Sequence, residues 1–112
     1  MNSANLPTGS ESFIDTLLPA RTLENRVFMI ASSRVGRERG TTFIGSSSIV
    51  DPYGRFLTRA GSDQEEIIYA DIKVGKARRK QTIVKPGEYG FALFKDRRPE
   101  FHGELCLQKY VE

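Results

Sequence analysis

The hydrophobic and polar positions of this chain change period several times, which is typical of short elements of both kinds. Ala20, Leu23 and Val27 recur at i, i+3 and i+7, a spacing that places apolar side chains on one face of a helix. Proline suits the first helical position because its fixed φ matches the helix and its missing N–H would be unpaired there. The pattern therefore predicts a helix from Pro19 to Asn25, followed directly by a strand.

Alternating apolar and polar residues, separated by turn formers, indicate a series of short strands. Strands are predicted over residues 27–32, 42–50, 55–59 and 66–72, a short basic helix over 74–80, and loops over 1–11, 34–40 and 84–90. The strongest turn signal is Asp51-Pro-Tyr-Gly54, where proline presets φ and glycine supplies an unusual dihedral angle. Together these elements predict an α+β fold with an antiparallel or mixed sheet and short helices.

Length and composition limit the possible classes of protein. The 112 residues are 38% hydrophobic and 28% charged, which is typical of one small globular domain. The longest apolar run, Val27–Ala31, is far shorter than the roughly 20 residues that cross a bilayer. The first residues are polar, and Cys106 is the only cysteine, so neither a secretory leader nor an internal disulfide is indicated. We therefore expect a cytoplasmic protein that does not bind membranes.

Basic residues are concentrated in one short segment of the chain. They are Lys73, Lys76, Arg78, Arg79 and Lys80. A nucleic-acid site usually adds aromatic side chains for base stacking, but none lies within this run, and the net charge of the whole chain is only +3. The segment is therefore interpreted as a solvated helix face, with nucleic-acid binding as the less favoured alternative.

No arrangement of nucleophiles or metal ligands stands out from the residues alone. Ser46, Ser47 and Ser48 lack the GxSxG elbow of a serine hydrolase, so their hydroxyls are expected to bind backbone groups. Cys106 is interpreted as a small buried hydrophobic residue. His102 is the only histidine, and no spacing of ligand residues supports a metal site. We expect no metal and no cofactor.

Several segments, taken in order, resemble the C-terminal half of the carbon–nitrogen hydrolases, the nitrilase superfamily. They are Pro19-Ala-Arg-Thr-Leu-Glu-Asn-Arg-Val-Phe28, Ser33-Arg-Val-Gly36, Phe43-Ile-Gly-Ser-Ser-Ser-Ile-Val-Asp-Pro-Tyr-Gly54, Ile68-Tyr-Ala-Asp-Ile72 and Asp96-Arg-Arg-Pro-Glu-Phe101. The resemblance implies part of a four-layer αββα sandwich. It implies a partial hydrolase domain over residues 1–101 and a C-terminal tail over 102–112.

The resemblance also implies an activity, the hydrolysis of amides, nitriles or carbamoyl groups. In this family a Glu acts as general base, a Lys stabilises charge and a Cys nucleophile forms a thioester. All three belong to the N-terminal half, so the resemblance implies that this chain has no catalytic residue and is inactive alone. We expect its partner to be the missing half or a second copy, and a small amide or nitrile to be the substrate only in the complete fold.

The resemblance assigns roles to a few residues of this chain. Ser3-Ala-Asn5 resembles the end of the strand that follows the nucleophile elbow, so Ser3 and Asn5 are candidate binding residues. Structural roles are implied for Arg21, Glu24, Gly45, Pro52 and Gly54. Ser33 departs from the Asn that many members have before Arg-Val-Gly. Half a sandwich would expose an apolar sheet face and strand edges, so a non-catalytic binding or assembly module is the alternative.

Overall fold

The structure is a computed structural model that describes residues 2–103, with side chains from Ser3 onward. The chain divides into two compact units, Met1–Arg79 and Lys80–Glu112. The elements of the first unit are β1 (Asn2–Ala4), a π-helical turn (Phe13–Leu17), α1 (Leu18–Asn25), β2 (Met29–Ser33), β3 (Val35–Glu38), β4 (Thr41–Ile44), β5 (Ser48–Val50), β6 (Phe56–Arg59) and α2 (Gly75–Arg78). The predicted combination of sheets and short helices is confirmed.

A mixed four-stranded sheet, in the order β1-β2-β5-β6, organises the first unit. β1 runs parallel to β2, and the other neighbouring strands are antiparallel. The apolar face of the helical segment packs against this sheet through Ile14 and Leu18, which meet Ala31, Ile44 and Val50 in one buried cluster. Burial of these side chains is the main favourable contribution to this part of the fold.

The buried face of α1 differs from the predicted one. Leu23 is 44% exposed and Ala20 also lies at the surface, whereas Leu18 and Thr22 are buried. The helical path begins upstream with the π-helical turn, so the buried positions are Ile14, Leu18 and Thr22, four residues apart. α1 ends at the predicted residue and begins one residue before the predicted start, but the continuous helical run starts at residue 11. The helix presents another face to the core.

The prediction of one strand over residues 42–50 is wrong, because the extended conformation is interrupted within this segment. Gly45 and Ser46 both adopt positive φ, 58° and 62°, which ends one strand and redirects the chain. β4 pairs with β3 in a separate hairpin, and β5 joins the four-stranded sheet. The predicted loop over 34–40 is also corrected, since most of it forms β3.

The predicted strand over residues 66–72 is not formed, and this segment has no regular secondary structure. A strand needs a neighbour to accept its backbone hydrogen bonds, and within residues 2–103 no backbone ladder includes this segment. The predicted turn at 51–54, the strand at 55–59 and the basic helix within 74–80 are confirmed. β1 lies within the segment that was predicted to be a loop.

The second unit consists of short elements. They are β7 (Thr82–Lys85), β8 (Tyr89–Phe91), α3 (Leu93–Asp96) and a 3₁₀ turn (Pro99–Phe101). β7 and β8 form an antiparallel hairpin where a loop was predicted over 84–90. In the described part of this unit, residues 80–103, no residue is fully buried. Across residues 2–103, no helix has the length and hydropathy that a membrane span requires.

Candidate functional site

The carboxyl ends of β1 and β2 meet at one edge of the four-stranded sheet. The strands are parallel, and Ser3 lies opposite Ser32 in their register, so both side chains project from the same sheet face. Both residues are exposed, and Asn5, two residues beyond Ser3, is exposed as well. The structure thus brings the two candidate binding residues to one end of the sheet. Their binding role stays a prediction.

A polar pocket of about 420 Å³ opens beside this sheet edge. It is lined by Ser32, Ser33, Arg34, Val35, Ser47, Ala60, Gly61, Gln64, Glu65 and Glu66. The Ser33 N–H donates to the Ser47 hydroxyl oxygen at 2.9 Å, and the Ser47 hydroxyl donates to the Ser33 carbonyl at 3.2 Å. Among the described residues, the buried Ser33 hydroxyl has no hydrogen-bond partner. The accessible polar groups of the pocket therefore come from exposed lining residues such as Ser32, Gln64 and Glu65.

The hydroxyl groups of the three consecutive serines form hydrogen bonds with backbone groups, as predicted. Ser46 donates to the Ile44 carbonyl at 3.2 Å, and Ser48 donates to the Ser46 carbonyl at 2.7 Å. Ser47 is engaged with the Ser33 backbone. These bonds compensate for the interruption of the strand between β4 and β5, where ladder bonds are lost. The serines therefore hold the bend rather than present a nucleophile.

The turn between β5 and β6 is held by one buried carboxylate. Asp51 is 5% exposed, and its Oδ1 accepts the N–H groups of Tyr53 and Arg55 at 2.8 and 3.0 Å. Pro52 is buried, and Gly54 has a φ of 75°. A Cβ on Gly54 would lie 3.1 Å from the Pro19 carbonyl oxygen. This turn therefore packs closely against the first turn of α1.

Arg26 connects α1 to the same turn, a role that the sequence patterns missed. It is 3% exposed and ends the helix with a φ of 53°. Its Nη1 donates to the Pro52 carbonyl at 3.4 Å, and its guanidinium lies 5.7 Å from the centre of the Tyr53 ring. By contrast, Arg21 and Glu24 form an exposed ion pair at 3.1 Å, which contributes little to stability in water.

The basic segment acquires an aromatic neighbour through the fold. Tyr53 lines a pocket of about 340 Å³ together with Lys73, Gly75, Lys76 and Arg79. The turn at 51–54 is distant in sequence, so the linear pattern gave no sign of this contact. α2 has only four residues, and the cations around it are exposed. The arrangement is that of a solvated basic surface with Tyr53 at one border. The ammonium group of Lys80 also lies 5.5 Å from the centre of the Phe94 ring.

The remaining candidate residues form no catalytic group in the described part of the chain. His102 is exposed at the end of the 3₁₀ turn, and Cys106 lies outside the described residues. Within residues 2–103, no three side chains of the His, Cys, Asp and Glu types are grouped as metal ligands. The hydrogen bond from Arg98 holds the pKa of the exposed Glu100 carboxyl below its ordinary value.

Comparisons with known proteins find relatives with the same local fold. Residues 10–81 match the family model described as carbon-nitrogen hydrolase. A nitrilase from Pyrococcus abyssi (strain GE5 / Orsay) is 39% identical over 85 residues, which are 76% of this chain and 30% of the nitrilase. The crystal structure of a carbon-nitrogen hydrolase from Helicobacter pylori G27 matches with a TM-score of 0.71 and 27% identity, over 96% of this chain and 40% of that one.

An amidase from Nesterenkonia sp. AN1 is also similar, with a TM-score of 0.59 and 27% identity over 88% of this chain and 32% of that chain. The structure of that amidase, a Glu-to-Gln mutant, shows the result of Michael addition of acrylamide at its active-site cysteine. This chain therefore spans about a third of the length of such relatives.

Proposed function

The chain belongs to the carbon–nitrogen hydrolase family, and we propose that it supplies one part of an amidase or nitrilase fold whose reacting groups come from another part. The observation that carries this proposal is the family match over residues 10–81, combined with coverage of only 30% of the Pyrococcus nitrilase. The proposed reaction is hydrolysis of a non-peptide C–N bond in a small amide or nitrile.

For an amide substrate, the proposed chemistry proceeds in two steps. A Cys thiolate attacks the amide carbon, a Lys stabilises the developing oxyanion, and a Glu transfers the thiol proton to the departing amine. This forms a thioester and releases ammonia. Water, deprotonated by the same Glu, then cleaves the thioester, giving the carboxylic acid and restoring the thiol. In this proposal the three residues come from the portion of the fold that this chain does not match.

The role proposed for this chain is to complete and support the substrate pocket. Ser3 and Asn5 would face the substrate because they lie at the carboxyl ends of parallel strands, where ligand sites commonly form in α/β proteins. Structural roles are proposed for Arg21 and Glu24 on α1, Gly45 at the bend, and Pro52 and Gly54 in the turn. The close approach of Gly54 to the Pro19 carbonyl and the hydrogen bond from Tyr53 to Asp51 support the structural role of the turn. The close approach of Gly45 to Val35 and the Gly61 carbonyl supports the structural role of Gly45.

Release of ammonia from butyramide tests the proposal. The full chain alone is expected to release no more ammonia than buffer, because the proposed nucleophile, base and lysine lie elsewhere. Adding the portion of the Pyrococcus abyssi nitrilase that precedes its matched region is expected to produce turnover. Turnover by the chain alone that disappears in Cys106→Ala would contradict the proposal, because the chain would then contain its own nucleophile.

A second candidate function is a non-catalytic binding or assembly module derived from the same fold. It is favoured by large apolar side chains that remain at the surface. Phe13, Ile67, Tyr69 and Phe101 are each more than half exposed. Phe101 belongs to the second unit and the other three to the first, and large exposed apolar side chains are a common feature of interaction sites. Binding of the nitrilase portion without any turnover would favour this function over the first.

A further inference from the structure

A pocket of about 340 Å³ beside the turn at 51–54 is lined by cationic side chains and one aromatic ring. It is here called the basic pocket, and its lining residues are Tyr53, Lys73, Gly75, Lys76 and Arg79. All of them belong to the first compact unit. Three of the lining residues are cations, and none carries a carboxylate. The basic pocket therefore concentrates positive charge around a space of the size that holds a small molecule.

The cations of the basic pocket have no acidic partner in the described part of the chain. Within residues 2–103, no carboxylate forms an ion pair with Lys73, Lys76 or Arg79. Ion pairs lie elsewhere, as between Arg21 and Glu24. Like charges that are held close together repel one another. An anion bound among these side chains would replace that repulsion with attraction.

The aromatic ring of the basic pocket is held in place by the turn that carries it. The Tyr53 N–H donates to the buried Asp51 carboxylate at 2.8 Å. The guanidinium of Arg26, which is 3% exposed, lies 5.7 Å from the centre of the Tyr53 ring. Tyr53 itself is half-buried. A ring fixed in this way offers a flat surface on which a planar group of a ligand can stack, with little ordering cost on binding.

We propose that the basic pocket binds a nucleoside diphosphate, with the phosphates on the cationic side chains and the base against Tyr53. Phosphate suits these cations because the Arg79 guanidinium can bind a pair of phosphate oxygens, while Lys73 and Lys76 act as point charges. A diphosphate also presents enough oxygens to reach all three cations, which a single carboxylate does not.

Single-stranded nucleic acid fits the same residues less well. Proteins bind it along an extended basic groove in which successive bases stack on successive aromatic side chains. The basic pocket has one aromatic side chain, Tyr53. One ring beside a compact group of cations matches one base with its phosphates.

The basic pocket lies at the opposite end of the four-stranded sheet from Ser3 and Asn5. β5 runs antiparallel to β2, and Val50 pairs with Met29 at the start of β2. The turn that carries Tyr53 follows Val50, whereas Ser3 pairs near the carboxyl end of β2. The nucleotide therefore meets a different part of this chain from the one proposed to face an amide or nitrile.

Isothermal titration calorimetry of the full chain with ADP tests the proposal. ADP is expected to bind at a single site with a dissociation constant below about 1 mM. Adenosine, which lacks the phosphates, and pyrophosphate, which lacks the base, should each bind at least about tenfold more weakly. Absence of ADP binding up to about 5 mM would overturn the proposal, and so would pyrophosphate binding as tight as that of ADP.

Variants test the two parts of the site separately. Arg79→Gln should raise the dissociation constant for ADP about tenfold, because charge-assisted hydrogen bonds to phosphate are lost. Arg37→Gln, the same change at an exposed position of β3, is the matched control and should change it less than about twofold. Equal effects of the two variants would mean that net charge alone attracts ADP, contrary to the proposal.

Substitutions of Tyr53 test the contact with the base. Tyr53→Leu should weaken ADP binding about tenfold and leave pyrophosphate binding unchanged, because only the stacking surface is removed. Tyr53→Phe keeps the ring and should bind ADP like the unchanged chain. Near-ultraviolet circular dichroism checks that each variant is folded. Loss of ADP affinity in Tyr53→Phe equal to that in Tyr53→Leu would contradict stacking on the ring.

Nuclear magnetic resonance of the ¹⁵N-labelled full chain locates the bound ligand. ADP should shift the backbone amide signals of Tyr53, Gly75 and Lys76 and leave those of Ser3 and Asn5 in place. The reverse pattern would overturn the proposal. So would displacement of ADP by poly(U) RNA at a lower nucleotide concentration than that of ADP, which would identify a nucleic-acid surface. No amide is hydrolysed in these measurements, so their outcomes do not depend on the proposed hydrolase function.

Discussion

At the scale of single residues, two adjacent backbone conformations decide where the chain changes sheets. Gly45 and Ser46 both have positive φ, a region in which L-residues other than glycine are strained. A Cβ on Gly45 would lie 2.6 Å from Val35 Cγ1 and 2.9 Å from the Gly61 carbonyl oxygen. The distances support close packing at Gly45.

Replacing Gly45 is therefore expected to be costly. Gly45→Ala should lower the free energy of unfolding by about 3 kcal/mol, from strain in the left-handed region and from overpacking. Gly40→Ala is the matched control, since its φ is 80° and a Cβ there would meet nothing within 4 Å. It should cost about 1 kcal/mol. Urea denaturation followed by circular dichroism measures both, and equal costs would show that the close approach at Gly45 contributes nothing.

At the scale of elements, α1 shows how a correct helix can be assigned the wrong buried face. The spacing of Ala20 and Leu23 fits a helical stripe, but so does that of Ile14 and Leu18. The sheet covers the second stripe. Thr22 completes it without exposing its hydroxyl, because Oγ1 donates to the Pro19 carbonyl at 2.8 Å. Hydrophobic spacing identifies possible apolar faces of a helix. It does not show which face is buried when a polar residue such as Thr22 lies on the buried face.

Truncating one leucine on each face of α1 tests this orientation. Leu18→Ala should lower the free energy of unfolding by about 3 kcal/mol, because it leaves a cavity in the core. Leu23→Ala should cost less than about 1 kcal/mol, because Leu23 is 44% exposed. Thermal and urea unfolding measure both values. A larger loss for Leu23→Ala would mean that the helix packs through the face predicted from the sequence.

At the scale of the whole molecule, the chain combines a small core with much exposed apolar surface. The π-helical turn and the start of α1 form one apolar depression of about 310 Å³, lined by Ser12, Phe13, Thr16, Leu17 and Ala20. Relatives that share this fold are about three times as long. A partial fold of this kind buries fewer of its apolar side chains than a larger domain does.

The exposed surface leads to a prediction about dye binding. The full chain is expected to enhance and blue-shift the fluorescence of 8-anilinonaphthalene-1-sulfonate, because the dye binds exposed apolar surface. Leu17→Ser should reduce the signal. Leu93→Ser is the matched control, since Leu17 and Leu93 are 40% and 43% exposed but only Leu17 lines the depression. Emission equal to that of free dye would contradict the prediction, provided that near-ultraviolet circular dichroism shows a folded chain.

The sequence by itself determined the features that depend on neighbouring residues and on ordered motifs. The turn at Asp51–Gly54, the bounds of α1 within one residue, the basic helix near residue 75 and the family all follow from local patterns. Proline, glycine and aspartate act within a few positions of the chain. Ser3 and Asn5 could be placed at one end of a strand only because an ordered set of motifs identified the family.

Only the tertiary structure decided the features that depend on contacts between distant residues. The tertiary structure selected the buried face of α1 and divided the predicted strand at Gly45. It placed Arg26 in hydrogen-bond contact with Pro52 and Tyr53 beside the basic segment. It left residues 66–72 without a strand partner within residues 2–103. The physical reason is the same in each case. Burial and strand pairing each depend on two surfaces that come into contact. The pattern of one segment describes only one of the two surfaces.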